Sequence, residues 1–346
     1  MDVAGMVLCA GLGTRLRPLT LGVPKPAVPV CGVPLVRFSL ALLRAAGVRR
    51  AVVNVHHLAD AMASAAAGAA RSLGMELAVS REPVIAGTGG ALREARRHLA
   101  SADAILVLNG DVLLDVDLAA ALDAHRRSGA LATMVLLPMP AGARYAAVEV
   151  DGGGAVRRIA GRFGPGGEGL APWHFSGAHV LSPGILDRVA AEPFEVDVNR
   201  HVYPPLMASG AVRGLVVDAR WSDLGAPASY LGANLDVLSG GFPVSRFPGA
   251  DPFEGTREVA PLVRAGPGAI VDPGARLEGP ALVLGGAVVE AGAEVGPRAV
   301  VGPGCVVPHG ARVRDAVLWE GTRLARGETV EGAIASGGIR VGRGAP

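Results

Sequence analysis

This chain has few cysteines, a single lysine and a small net charge, and each of these excludes or favours particular classes of protein. Cys9, Cys31 and Cys305 stand far apart and form no C-x-x-C, so we expect neither a disulfide framework nor a zinc site. The formal net charge is only +2 without a long run of like charge, which argues against nucleic acid as the main partner. The N-terminal apolar run is short and follows no basic segment, so we expect no signal peptide and no membrane span. These shortages fit a cytoplasmic enzyme.

The scarcity of lysine draws attention to the one that is present. Lys25 is the only lysine in the 346 residues, and arginine stands everywhere else that a strongly basic side chain occurs. Pro24 and Pro26 flank it and restrict the backbone on both sides. A compact ammonium on a stiff segment suits a phosphate-transfer site, because little reorganisation is needed as charge develops. The alternative is a chance surface lysine.

A glycine-rich stretch leads up to this lysine. The apolar run Val3–Cys9 predicts a buried strand, and AGLGTRLRPLTLGVPKP follows it at once at 10–26. Gly11 and Gly13 allow a close approach of the backbone to a ligand, and Arg15 presents a guanidinium that matches phosphate oxygens. The stretch is not a dinucleotide fingerprint, which needs glycine at position 16, nor a P-loop, because no G-K-[ST] occurs.

The whole stretch resembles the signature of sugar-1-phosphate nucleotidylyltransferases, G-x-G-T-R-L-x-P-L-T followed by P-K-P. The resemblance implies that backbone N–H groups bind the phosphates of a nucleoside triphosphate (NTP). It also implies catalytic roles for Arg15, on the departing pyrophosphate, and for Lys25, at the α-phosphate. The nucleotide-binding residues that it implies in this stretch are Ala10, Gly11, Gly13 and Thr14.

Strands and helices alternate along the following residues, which predicts a mostly parallel sheet with helices on both faces. Ligands bind such sheets at the carboxyl ends of the strands. The segment EPVIAGTGGA at 82–91 follows a predicted strand and is similar to E-P-x-x-x-G-T-x-G-A of mannose- and heptose-1-phosphate guanylyltransferases. The resemblance implies nucleotide contacts from Glu82, Gly87 and Thr88. The alternative is a plain turn from strand to helix.

Two aspartates follow predicted strands in distant parts of the chain. Asp111 ends the NGD segment 109–111, and Asp223 lies in WSDLGAP at 221–227. Proteins usually hold Mg²⁺ with one or two carboxylates and substrate phosphates. The segments resemble the family motifs N-G-D and W-x-D-x-G-T-P, the second with Ala226 in place of threonine, and the resemblance implies that both aspartates bind Mg²⁺. The alternatives are an Asx turn at Asp111 and a helix cap at Asp223.

One motif of the family is missing. Many members carry E-K-P, whose lysine holds the sugar phosphate, whereas this chain has VRRI at 156–159 followed by a glycine-rich run. Either an arginine (157, 158 or 162) takes that role, or the phosphate is held differently. N-acetylmuramate-1-phosphate uridylyltransferases also lack the lysine, and their TFSG resembles HFSG at 174–177. The sugar-phosphate contacts that follow from the resemblance are Asn109, Gly110, Arg158, Ser176 and Gly177.

The last part of the chain is a repeat. Valine or leucine recurs every six residues from position 271 to 313, and alanine or cysteine stands two residues before each. These eight hexads resemble those of left-handed parallel β-helices and make just under three coils. We therefore predict a catalytic nucleotidyltransferase domain at 1–238, a linker at 239–258 and a β-helix domain at 259–346. Short β-helices in this family mediate oligomerisation, so we expect a homo-oligomer.

The predicted fold is α/β, a Rossmann-like nucleotidyltransferase domain with a mostly parallel sheet, followed by the short left-handed parallel β-helix. The predicted reaction joins an NTP and a sugar 1-phosphate to an NDP-sugar with release of pyrophosphate, and GTP with mannose 1-phosphate is preferred. UTP or dTTP with glucose or N-acetylmuramate 1-phosphate is the alternative substrate pair. A regulatory paralogue that binds NDP-sugar without turnover, and a β-helix acyltransferase that uses His309, are the alternatives of other classes.

Overall fold

The computed structural model describes residues 2–140, 142 and 145–344. Contacts divide the chain into two compact units. The first unit comprises Met1–Leu12 and Val36–Trp221, and the second comprises Gly13–Leu35 and Ser222–Pro346. The segment that carries Lys25 therefore groups with the C-terminal half of the chain. The domain boundaries expected at residues 238 and 258 stay a prediction.

Helices and strands are numbered along the chain. The helices are α1 (Leu35–Ala45), α2 (Ala59–Ser72), α3 (Gly87–Glu94), α4 (Arg96–Leu99), α5 (Leu118–Ser128), α6 (Pro204–Met207) and α7 (Pro227–Leu238). The strands that precede α7 are β1 (Val3–Leu8), β2 (Pro29–Val30), β3 (Val33–Pro34), β4 (Arg50–Val55), β5 (Glu76–Arg81), β6 (Ala104–Asn109), β7 (Val112–Asp115), β8 (Ala132–Leu137), β9 (Ala147–Val150), β10 (Val156–Ile159), β11 (Ala171–Leu181), β12 (Val212–Val216) and β13 (Arg220–Asp223). The strands that follow α7 are β14 (Arg257–Ala260), β15 (Val263–Ala265), β16 (Ile270–Val271), β17 (Arg276–Leu277), β18 (Ala281–Val283), β19 (Val288–Val289), β20 (Glu294–Val295), β21 (Ala299–Val301), β22 (Val306–Val307), β23 (Arg312–Arg314), β24 (Ala316–Leu318), β25 (Thr329–Glu331), β26 (Ala333–Ser336) and β27 (Ile339–Gly342).

One large sheet organises the first unit. Its strand order is β10-β9-β11-β6-β1-β4-β5, and β8 pairs with both β11 and β12. Strands β1, β4, β5 and β6 run parallel, and Leu8 at the end of β1 lies opposite Asn54 on one side and Asn109 on the other. The carboxyl ends of these strands therefore share one edge, which is where ligands bind to parallel sheets. The mostly parallel α/β sheet expected from the sequence is confirmed.

Apolar side chains on both faces explain why β1 is central. Met6 and Val7 are fully buried, as expected for a parallel strand that helices cover on both sides. Helix α1 approaches the strand so closely that a Cβ at Gly5 would lie 2.8 Å from Cδ1 of Leu43. Each fully buried aliphatic side chain of this kind contributes about 1.5–3 kcal/mol. This core fixes the strand end from which the glycine-rich stretch departs.

The second unit contains the expected repeat as stacked parallel strands. One stack has the order β15-β18-β21-β24-β26, a second β16-β19-β22, and a third β17-β20-β23-β25. Equivalent positions in the regular part are three hexads apart, as in the pair Ala281 and Ala299. The repeated valines and the alanines two residues before them fill the interior, where Val289, Val301 and Ala293 are fully buried. The C-terminal strands therefore form the expected parallel β-helix.

The β-helix continues beyond the eight regular hexads, so the estimate of just under three coils was wrong. Strands β24, β25 and β26 extend the stacks after residue 313. The pair Val301 and Leu318 is 17 residues apart, whereas Val283 and Val301 are 18 apart. The deleted residue coincides with a left-handed backbone at Asp315, whose φ is 47°. This deletion breaks the six-residue periodicity, and the last coil therefore escapes a search for perfect hexads.

Residues 239–256, within the expected linker, carry no helix or strand. The segment nevertheless contributes to the core of the second unit. Phe242 and Phe247 are buried, and their rings stack with centroids 6.2 Å apart. The composition of the segment, rich in glycine and proline, predicts the irregular backbone but not these two anchoring aromatic rings.

Candidate active site

The first glycine of the glycine-rich stretch lies at the carboxyl end of β1, in the first unit. Cys9 follows the strand, and its N–H donates to Oδ1 of Asn54 over 2.8 Å. A Cβ placed on Gly11 would have no neighbouring atom within 4 Å, so the space beside this glycine is open. Ala10, between them, is buried. Gly11 therefore leaves room for a ligand at the end of β1.

Glu82 at the end of β5 is buried and engaged with other protein groups. Its carboxylate accepts a hydrogen bond from Nδ2 of Asn54 at 2.8 Å and another from the N–H of Ala86 at 3.0 Å. Its carbonyl lies 2.8 Å from Nδ1 of His56. Asn54 thus ties the ends of β1, β4 and β5 together. The signal that could have identified it is a polar residue in the otherwise apolar run AVVNV.

The glycines of the GTGG segment pack against the backbone near residue 196. A Cβ at Gly87, whose φ is 74°, would lie 2.6 Å from the carbonyl oxygen of Val196. The same oxygen accepts hydrogen bonds from the N–H groups of Gly89 and Gly90. The hydroxyl of Thr88 accepts from the N–H of Val198 at 2.9 Å. Close packing is thus one sufficient reason for these glycines, in addition to the nucleotide contact expected from the resemblance.

The NGD segment lies directly against the end of β1. The N–H of Gly110 donates to the carbonyl of Leu8 at 2.9 Å, and a Cβ on Gly110 would lie 2.7 Å from that oxygen. A Cβ on Gly110 would also lie 2.9 Å from Sγ of Cys9, and Asp111 follows directly. Burial, with a smaller contribution from the Asp111 carboxylate, raises the pKa of the Cys9 thiol. The closeness of Asp111 to Cys9 places a carboxylate beside the residues that begin the glycine-rich stretch.

Ser176 and Gly177 form a break in β11 beside the NGD segment. The register of β11 shifts between Phe175 and His179, and a Cβ at Gly177 would lie 3.1 Å from atoms of Asn109. The buried hydroxyl of Ser176 donates to the carbonyl of Val135 at 2.8 Å. The serine hydroxyl therefore supports the break, while the backbone of Gly177 lies against Asn109. The structure therefore brings together Gly177 and Asn109, two of the residues predicted to contact the sugar phosphate.

The two arginines at the position of the missing E-K-P motif pair with acids. Arg158 forms an ion pair with Glu149. Arg157 donates from Nε to Asp151 at 2.7 Å and from a guanidinium nitrogen to the carbonyl of Met207 at 3.0 Å. The hydrogen bond from Arg157 lowers the pKa of Asp151. A phosphate held by Arg158 would therefore compete with Glu149.

The predicted catalytic cations meet one carboxylate in the second unit. Nζ of Lys25 lies 3.7 Å from Oδ1 of Asp223, and a guanidinium nitrogen of Arg15 lies 3.6 Å from Oδ2. The side chain of Lys25 is only 7% exposed, whereas that of Arg15 is 67% exposed. Two cations beside one carboxylate supply several N–H donors in one place, which suits a polyphosphate. Sequence reasoning named all three side chains without predicting these ion pairs.

Small residues keep this cluster compact. Gly13 has a φ of 61°, and a Cβ there would lie 3.0 Å from Cβ of Lys25. A Cβ on Gly225 would lie 2.6 Å from Arg15 and 2.7 Å from Asp223. The hydroxyl of Thr20, which sequence reasoning did not select, donates to the carbonyl of Gly13 at 2.8 Å. Thr14 begins the short 3-10 turn that presents Arg15.

The donor set fits Mg²⁺ rather than a protein-enclosed metal. No group of three or more histidine, cysteine, aspartate or glutamate side chains that could hold a metal occurs within residues 2–140, 142 and 145–344. Magnesium instead takes one or two carboxylates and completes its shell with water and phosphate oxygens. Asp223, whose neighbours are cations, is a hard oxygen donor of the type required.

Among the helices of residues 2–140, 142 and 145–344, none combines the length and the apolar character that crossing a membrane requires.

This chain is similar to known proteins over about two thirds of its length. A family model described as nucleotidyl transferase matches residues 4–240. The mannose-1-phosphate guanylyltransferase of Mycobacterium tuberculosis is 31% identical over 241 residues, which are 69% of this chain and 66% of that protein. The mannose-1-phosphate guanylyltransferase catalytic subunit beta of Xenopus tropicalis is 29% identical over 234 residues, 65% of this chain and 62% of that protein.

A relative whose name gives a different substrate is equally similar. The UTP–glucose-1-phosphate uridylyltransferase of Synechocystis sp. is 32% identical over 247 residues, 68% of this chain and 63% of that protein. The chain thus spans a little under two thirds of the length of these curated relatives. In fold, the chain is similar to the crystal structure of HddC from Yersinia pseudotuberculosis, with a TM-score of 0.55, 24% identity, and coverage of 68% of this chain and 98% of that one.

Proposed function

Because this chain belongs to the nucleotidyl transferase family, we propose that it transfers a nucleotidyl group from an NTP to a sugar 1-phosphate. A phosphate oxygen of the sugar 1-phosphate forms a bond to the α-phosphorus of the NTP. The bond between that phosphorus and the bridging oxygen to the β-phosphate breaks, and pyrophosphate leaves with the electron pair. The attacking group is already an anion, so the reaction needs positioning and charge stabilisation rather than a general base.

The observation that carries this proposal is the cluster of Lys25, Arg15 and Asp223. Lys25 is nearly buried and lies 3.7 Å from the carboxylate, so its ammonium is held in a fixed place. A preorganised cation stabilises charge that develops at the α-phosphate. Arg15 is exposed and presents several donors, which suits the departing pyrophosphate. The open space beside Gly11 suits a phosphate bound by backbone N–H groups.

Magnesium is the cofactor that we propose. Asp111 of the first unit and Asp223 of the second unit are the proposed carboxylate ligands, each on the grounds given above. When bound, the ion would neutralise phosphate charge and so favour attack by a second anion. The proposed nucleotide contacts are Ala10, Gly11, Gly13, Thr14, Glu82, Gly87 and Thr88. The proposed sugar-phosphate contacts are Asn109, Gly110, Arg158, Ser176 and Gly177.

We propose GTP and mannose 1-phosphate as the substrates, because two of the relatives described above carry that activity in their names. The relative named for UTP and glucose 1-phosphate supports a second candidate, a uridylyltransferase. We propose that the protein acts in the cytoplasm. We also propose that it assembles into a homo-oligomer through the β-helix.

The test is release of pyrophosphate from the purified protein with Mg²⁺. Four NTPs are crossed with the 1-phosphates of mannose, glucose, N-acetylglucosamine and N-acetylmuramate. Release confined to GTP with mannose 1-phosphate supports the first candidate, and release confined to UTP or dTTP supports the second. The absence of release with every pair, together with tight binding of an NDP-sugar, would favour a regulatory protein. The Asp223→Asn variant serves as the inactive control.

A further inference from the structure

A buried chain of hydrogen bonds in the second unit joins the β-helix to the segment that carries Lys25. It begins at Trp319, directly after strand β24. Nε1–H of Trp319 donates to the hydroxyl oxygen of Tyr230 at 2.8 Å. Tyr230 lies on α7, and its hydroxyl donates in turn to the carbonyl oxygen of Pro29. Hydrogen bonds thus run from Trp319 through Tyr230 to Pro29, three residues that are distant in sequence.

The burial of this chain makes its hydrogen bonds costly to lose. Tyr230 is fully buried, Trp319 is 5% exposed, and their rings meet edge to face with centroids 6.1 Å apart. An indole N–H only donates, so the tyrosine oxygen must accept from it and direct its own proton to Pro29. Removing a partner would leave a buried polar group unsatisfied. The three groups therefore fix one another's positions.

A second set of contacts holds the same segment on α7. Asn234, one turn after Tyr230, accepts from the N–H of Cys31 at 2.7 Å and donates to the carbonyl of Tyr230 at 3.0 Å. Cys31 and Gly32 form the turn between β2 and β3. A Cβ at Gly32 would overlap Cδ1 of Leu284, a residue of the β-helix. The hairpin therefore rests on both α7 and the β-helix.

Little free backbone separates this hairpin from the catalytic lysine. Lys25–Ala27 is a single 3-10 turn, closed by a hydrogen bond from the N–H of Val28 to the carbonyl of Lys25 at 3.2 Å. Pro29 follows at once. Pro24 and Pro26 restrict the backbone on either side of the lysine. A displacement of the Pro29 carbonyl is therefore transmitted to Lys25 rather than absorbed by a flexible loop.

We propose that Trp319 and Tyr230 are positioning residues, through which the β-helix sets the place of the Lys25 side chain. The β-helix would then be part of the catalytic machinery in addition to any role in assembly. The catalytic consequence rests on the proposed function, because it requires Lys25 to act in the reaction. The positional coupling itself is independent of turnover and is measured separately.

Lys25 provides its own probe, because it is the only lysine in the chain. Acetylation of the folded protein by an amine-reactive ester, followed by mass spectrometry of the peptide that contains Lys25, measures the accessibility of this one side chain. The side chain is 7% exposed, so we expect slow acetylation in the unaltered protein. Loss of one buried hydrogen bond should raise the rate about fivefold in Trp319→Phe and in Tyr230→Phe. In the same variants kcat should fall by at least a similar factor, with smaller changes in KM.

Two control variants separate positioning from general destabilisation. Tyr203→Phe removes another hydroxyl from a fully buried tyrosine, one that pairs with His179 in the first unit. Val307→Ala opens a cavity in the β-helix core away from the chain of hydrogen bonds. Both should lower the melting temperature and leave acetylation of Lys25 unchanged. If Tyr230→Phe does not fold, Trp319→Phe decides, because it keeps the tyrosine and its bond to Pro29.

Failure of this inference differs from failure of the proposed function. Unchanged acetylation and unchanged kcat in folded Trp319→Phe would overturn the coupling even if pyrophosphate release is robust. An equal rise in acetylation in Val307→Ala would overturn it as well, since loosening of the unit would then be the cause. Faster acetylation limited to Trp319→Phe and Tyr230→Phe would support the coupling, even if no substrate pair released pyrophosphate.

Discussion

The ammonium of Lys25 lies 3.7 Å from the carboxylate of Asp223, and the side chain of that lysine is only 7% exposed. Arg15 lies 3.6 Å from the other oxygen of the same carboxylate but is largely exposed. The aspartate thus holds one buried and one accessible cation. One cation is thus enclosed and the other is open to solvent, which fits the roles proposed for Lys25 at the α-phosphate and for Arg15 on the pyrophosphate.

Replacement of Lys25 should abolish most activity even when the charge is kept. Lys25→Arg places a planar guanidinium in the nearly buried position of a compact ammonium, and Lys25→Met removes the charge. We expect the rate of pyrophosphate release to fall about 100-fold in both variants, the effect typical of a lost electrostatic donor. Arg126→Lys, which changes an exposed arginine on α5, is the control and should retain the full rate. More than half of the normal rate in Lys25→Arg would contradict the assignment.

Asp223→Asn should affect both magnesium dependence and stability. The variant loses a hard anionic ligand and removes the carboxylate charge that lies 3.7 Å from the buried ammonium of Lys25. We expect a higher Mg²⁺ concentration for half-maximal rate, a rate about 100-fold lower, and a loss of about 1–3 kcal/mol in the free energy of unfolding. Titration of Mg²⁺ and urea unfolding measure the two effects. Asp117→Asn is the matched control, because Asp117 caps α5 through the N–H of Ala120 and asparagine caps equally well.

Two glycine variants should separate ligand space from packing. Gly11→Ala meets no atom within 4 Å, so we expect normal stability but weaker binding of the NTP. Gly87→Ala forces a Cβ to within 2.6 Å of a backbone oxygen at a φ of 74°, so we expect a loss of about 1–3 kcal/mol in stability. Denaturant unfolding and nucleotide titration of both variants test the contrast. Equal losses of stability would show that the space beside Gly11 is not open.

The sequence predicts elements whose cause is local and misses those whose cause lies elsewhere in the chain. Glycines, prolines and a single lysine identify the segment around Lys25, and perfect hexads identify most of the β-helix. Glu82 accepts a hydrogen bond from Asn54, and Thr88 accepts one from the N–H of Val198. No local sequence pattern connects the two members of either pair. The last coil was missed because one deleted residue breaks the period, although the interior continues to be filled.

Stability should fall as the pH is lowered below about 6.5, in part because of His179. Burial lowers the pKa of this histidine from 6.5 to about 3, and its Nδ1 lies 2.8 Å from the hydroxyl of Tyr203. Between these two pH values the unfolded chain binds a proton that the folded chain does not. The folded state therefore loses no stability to the protonation of His179 above pH 6.5. As the pH falls from 6.5 towards 3, the free energy of unfolding decreases by about 1.4 kcal/mol per pH unit on account of this histidine. The free energy of unfolding, measured with urea at pH values from 7.5 to 5, should depend less steeply on pH in His179→Gln. Some dependence on pH should remain because burial also lowers the pKa of His125. An unaltered slope in His179→Gln would exclude this histidine as a source of the acid sensitivity.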